Sequence, residues 1–242
     1  MPSASAIRLA DQLATARALH AQRAASARLA TALDQIAHFQ SLRLSATYAD
    51  LEAQSRYSAA IAFFRSDLYG PGDFSRRDAD LARIVPTLAR MLPERALATV
   101  ADAMQLSVLS QQLDRLLLAH LAPDAELDVA RYCAAYRACA NPGERVRQIA
   151  LIGAVGGGFE GYVRSPLLRN ALFMMRVPAR AAGLGALQAF LERGVAGFAR
   201  MRGAAEFLGT IEARESALMH AIFAGDDDAF ADPRAPRRAT LG

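Results

Sequence analysis

From Leu9 to Ile222 the apolar residues return every third or fourth position, and nowhere do they alternate in the period-two manner of a half-buried strand. That spacing puts one greasy stripe on each of a series of helices and requires the stripes to face one another. The residue types agree with it. The chain is heavy in Ala and Leu and has no Trp, whereas strands draw on β-branched and aromatic side chains. The expectation is an all-α fold, one multi-helix domain of about eight helices over residues 1–224, with a long amphipathic N-terminal helix within 1–45.

Local signals divide the chain further. The period predicts helices over about 5–40 and 46–69, the second ended by Gly70, Pro71 and Gly72. Ser75 followed by Asp78 reads as a capping box, with Leu81, Ile84, Leu88 and Leu92 turned inward behind it. Pro86 and Pro178 are expected to kink their helices, because each lacks the N–H for the preceding turn. Shorter helices are expected at about 93–105, 107–121 and 124–139, then others across 144–163, after Ser165-Pro166, and at about 203–223. The remainder, 225–242, is acidic, then basic, and nearly without apolar residues, so it reads as a disordered tail.

At 242 residues the domain is large enough to bury a core without disulfides or metal. All 28 basic residues are Arg, and the net charge of +4 is spread along the chain rather than gathered in a patch, which argues against nucleic acid. Cys133 and Cys139 are six apart on one predicted helix, about 9 Å along its axis, too far for a disulfide. Free thiols and a cytoplasmic location are the expectation. No run approaches the roughly 18 apolar residues of a membrane span, the four His lack zinc spacing, and no metal or cofactor is expected.

Gly156, Gly158 and Gly161 form a GxGxxG pattern, but the residues before it are helical in character, so a dinucleotide fingerprint lacks its strand. Gly153, Gly157 and Gly161 would instead line one helix face and admit a close neighbour. Whether the triple Gly at 156–158 is helix or loop stays open. The aromatic run Tyr57, Phe63, Phe64, Tyr69 and Phe74 reads as core, and His120 as a structural residue.

Two charged positions stand inside apolar stripes. Glu215 interrupts Leu208, Ile211, Leu218 and Ile222, and a carboxylate there needs an Arg partner or a cavity. Arg77 opens the inward stripe of its helix, and Asp78 stands beside it. Arg77 or Arg83 is expected to pair with Glu215 at the floor of a polar cleft, with Asp78 and Tyr69 as further candidates. These five residues form the candidate site for an anionic small molecule or an acidic partner. The alternatives are an enzyme with Glu215, Asp78 or Asp67 as acid–base group, and a ligand-responsive regulator hinged at its prolines. The N-terminal helix and the glycine stripe are the expected surfaces of a homo-oligomer.

FFRSDLYG at 63–70, DFSRRDADLARIVP at 73–86 and ARAAGLGALQAFLERG at 179–194 resemble a family of bacterial helical proteins without an assigned activity. That resemblance implies an all-α single domain and brings no catalytic residue, cofactor or substrate with it.

Overall fold

The computed structural model describes residues 3–68, 73–122, 126–163, 166–201 and 203–234. Among them are eleven α-helices and no strand: α1 (Ala4–Ala24), α2 (Ala27–Thr47), α3 (Ala49–Glu52), α4 (Ser58–Phe63), α5 (Ser75–Met91), α6 (Glu94–Ala119), α7 (Val129–Ala138), α8 (Pro142–Val163), α9 (Pro166–Ala181), α10 (Gly185–Met201) and α11 (Ala205–Phe223). A π-helical turn, Phe64–Leu68, continues α4.

The long N-terminal helix is two helices. Ser26 takes an extended conformation and its Oγ accepts from the Leu29 amide at 3.2 Å, so a serine that competes for backbone donors starts α2 where the apolar period alone would carry on. The opposite happens at Ser107, which lies inside an unbroken α6 rather than starting a helix. At α5 the expected capping box is absent. Asp73 Oδ1 accepts from the Ser75 amide at 2.8 Å, and Asp78 is turned into the protein. Pro86 and Pro178 lie inside α5 and α9.

Helix α6 is the axis. It packs on α1 and α8 and also touches α2, α5 and α7. Three apolar clusters form around it. Leu9, Leu13, Leu81, Leu97 and Met104 join α1, α5 and α6. Tyr57, Phe64, Ile152, Phe198 and Phe207 join α4, α8, α10 and α11. Ile36, Phe39, Tyr132, Cys133 and Ile222 join α2, α7 and α11. The apolar face of α1 is therefore used within the chain. No helix among the described residues is long and apolar enough to cross a membrane.

Helix α8 runs unbroken through its glycines, and the packing glycines are not the expected ones. Gly153, Gly157 and Gly161 have open space where a side chain would start, whereas a Cβ on Gly156 would strike Leu208 and one on Gly158 would lie 2.5 Å from Thr99 Oγ1. Gly157→Ala should therefore raise the thermal midpoint by about 2–4 °C, from about 1 kcal/mol of helix propensity. Gly158→Ala should gain nothing or lower it, since the β-branched Thr99 has little freedom to move aside. Paired melting curves check this contrast.

The tail also departs from expectation. Its first part, 225–234, is held to the fold: Phe230 packs on Phe39 and Tyr132, Asp227 accepts from Arg137 at 2.7 Å, and Arg234 reaches Glu126 at 2.6 Å. Residues 235–242 lie outside the described part, as do Gly70, Pro71 and Gly72.

Candidate ligand-binding cavity

Each helix around the middle of the molecule breaks its apolar stripe with a polar residue at the same level. On α2 the stripe Leu33, Ile36 passes into Gln40 and Arg43. On α6 Ser110 and Asp114 flank Leu113, on α7 Tyr132 and Tyr136 stand one turn apart, α8 begins its stripe with Arg145, and α11 carries Glu215. These side chains converge on a cavity of about 70 Å³ that Leu44, Ile61, Phe64, Ile152 and Ile211 also line.

Three guanidinium groups line this cavity. Arg65 is paired outside it, its Nη1 donating to Glu52 Oε1 at 2.7 Å, and the other two are treated very differently. Arg43 is matched. Its Nη1 and Nη2 donate to Glu215 Oε1 and Oε2 at 3.0 and 2.9 Å, and the Tyr48 hydroxyl donates to Oε1 at 2.7 Å. The Arg43 and Glu215 side chains are 9% and 15% exposed. Burial works against the Arg43 charge, but Glu215 together with Tyr132 and Tyr48 outweighs it and holds the guanidinium protonated far above its ordinary range.

Arg145 is not matched. It is 4% exposed, its Nη1 donates to Gln148 Oε1 at 3.3 Å, and its Nε and Nη2 are buried without a hydrogen-bond partner. The guanidinium lies over the Tyr136 ring at 4.1 Å, which fixes its plane. Gln148 is itself fixed, because its Nε2 donates to Ser110 Oγ at 2.8 Å.

The cavity's second carboxylate, Asp114, accepts from Gln40 Nε2 at 2.9 Å. Surrounding protein pushes its carboxyl up, and Gln40, Arg145 and Arg115 pull it back without cancelling the effect. Burial also raises the phenols of Tyr132 and Tyr136, so both remain neutral.

A native carboxyl raised above its unfolded value contributes stability that is complete at low pH and lost as pH rises through the raised value. Asp114→Asn should accordingly stabilise the protein near neutrality, and the advantage should shrink toward about pH 4. Thermal midpoints of the two proteins across that range test the sign.

The expected site residues do not assemble into one cleft. Glu215 faces the cavity, but its partner is Arg43, not Arg77 or Arg83. Arg77 Nε donates to Asp78 Oδ1 at 2.8 Å, and Asp78 Oδ2 meets His20 Nε2 at 2.9 Å, beside an open groove between α1 and α5. Arg83 lies on the surface with Asp80 and the Gly183 carbonyl. Tyr69 and the side chain of Asp67 lie outside the described part. Among the described residues no group of three His, Cys, Asp or Glu side chains is placed to hold a metal ion.

The sequence reading missed Gln40, Arg43, Asp114, Tyr132, Arg145 and Gln148. Their signal was present in the stripes: Gln40 and Arg43 fall three or four residues on from Ile36 and Phe39, and Arg145 falls four before Ile149.

A domain of unknown function, DUF8198, matches residues 19–229. The chain belongs to this family. Every residue lining the cavity falls inside the DUF8198 span, whereas the groove beside His20 takes Ala10, Leu13, Ala14 and Arg17 from before it. No curated protein matches, and no solved structure matches.

Proposed function

We propose that this DUF8198 protein binds a small anionic molecule in the cavity between α2, α6, α7, α8 and α11. The observation that carries the reading is the state of Arg145, a buried cation in the wall of the cavity with two nitrogens that have no hydrogen-bond partner. Burying an unpaired guanidinium costs several kcal/mol, and a fold does not bear that cost in its core without a return. An anion supplied from outside would complete the site.

Two of the three carboxylates named at the outset, Glu215 and Asp78, favour binding over acid–base chemistry. Glu215 is held by Arg43 and Tyr48, and Asp78 by Arg77 and His20, the arrangement of carboxylates that hold a structure together. A second reading, an enzyme, is supported by Asp114, which borders the same cavity with its carboxyl pushed up by burial.

Native mass spectrometry of the protein as purified, compared with its denatured mass, tests the binding reading. A retained mass that Arg145→Met abolishes supports it. An empty wild-type protein whose midpoint no small anion shifts rejects it.

A further inference from the structure

The unpartnered edge of Arg145 narrows the chemistry of what it holds. A guanidinium offers five N–H groups in a planar fork, and one side of the fork, Nε–H with one Nη2–H, presents two parallel donors at the spacing of a carboxylate's oxygens. Nη1 is engaged with Gln148, and Nε and Nη2 are the two nitrogens left without a partner. The ring of Tyr136 below and the Gln148–Ser110 chain beside it hold that edge in one orientation. Ser110 accepts from Gln148, so its own hydroxyl hydrogen is available to an oxygen of the ligand.

Charge narrows it further. Arg43 is paired with Glu215 and Arg65 with Glu52, which leaves Arg145 as the cavity's arginine without an ion-pair partner among the described residues, with the Asp114 carboxyl within its field but not hydrogen-bonded to it. With Asp114 and Glu215 on the same wall, a ligand of single charge meets the least repulsion, and a second charge would find no unpaired cation. The cavity also has an apolar lining. Ile152 stands two turns of α8 from Arg145, roughly 10 Å along the axis, and Ile61, Phe64 and Ile211 line the cavity with it.

We propose that the ligand is a short-chain monocarboxylate, bound side-on by the Nε and Nη2 edge of Arg145, with its alkyl group toward Ile61, Phe64 and Ile152. The inference rests on the cavity reading and names the ligand class for the same site.

Calorimetric titration of the purified full chain with acetate, propionate, butyrate, butyramide, inorganic phosphate and sulfate, at matched ionic strength, tests both. Butyrate should bind more tightly than acetate, and butyramide, phosphate and sulfate should fail to bind. Arg145→Lys, which keeps the charge but not the parallel donors, should weaken butyrate about tenfold. Arg145→Met should weaken it about 30-fold or more, with far-ultraviolet circular dichroism and the melting curve confirming that each variant is folded. Phosphate or sulfate binding without butyrate binding would overturn the ligand class and leave the anion site standing. Binding by none of the probes would overturn both, as would a folded Arg145→Met that binds butyrate like wild type.

Discussion

Glu215→Ala should lower the thermal midpoint by about 10 °C, from the 3–5 kcal/mol typical of breaking a buried ion pair. The loss comes from what is left behind. Arg43, 9% exposed, would lose both hydrogen-bonded oxygens, and the Tyr48 hydroxyl would lose its acceptor. If uncompensated charge is the cause, the double variant Arg43→Met/Glu215→Leu should recover most of the midpoint, because apolar pairs of similar volume commonly replace buried ion pairs at little cost. A double variant as unstable as the two single losses added together would show that the pair contributes through packing geometry instead.

Arg145→Met should do the reverse and raise the midpoint in the absence of ligand, by about 5 °C. The variant gives up a cation–π contact with Tyr136 worth about 2 kcal/mol when desolvated, together with one long hydrogen bond to Gln148. In return it removes the desolvation penalty of a cation with no hydrogen-bonded carboxylate, at the loss of its attraction to Asp114 across the cavity. These two arginines of one cavity should thus respond with opposite signs, Arg43→Met destabilising and Arg145→Met stabilising. A residue whose removal strengthens the fold is one kept for another purpose. Equal losses at both positions, read from urea unfolding, would mean that Arg145 is as well satisfied as Arg43.

The helical class was legible because apolar period and residue type agree along the whole chain, and Glu215 stood out because it interrupts the cleanest stripe. Its partner was not legible. Arg43 lies 172 residues away, and the period of a helix tells which face is buried but not which helix it meets. Arg77 looked the better partner because it opens an inward stripe, yet its neighbour Asp78 and His20 of α1 take up that corner. The division at Ser26 and the unbroken α6 through Ser107 show the same limit: one type of residue caps a helix where the backbone turns and is tolerated where packing holds it straight.

Glycine spacing misled for a related reason. The regular set Gly153, Gly157 and Gly161 faces open space, and the contacts belong to Gly156 and Gly158, which face α11 and α6. A helix packed on two sides needs small residues on two faces, and a search for one stripe passes over that arrangement.

The most direct test is a crystal structure of the full chain soaked in butyrate, read at Arg145. The account predicts a planar group across Nε and Nη2 with its alkyl chain toward Ile61 and Phe64, and the Arg43–Glu215 pair undisturbed. Arg145 swung onto the Asp114 carboxylate in a cavity closed by side chains would contradict it.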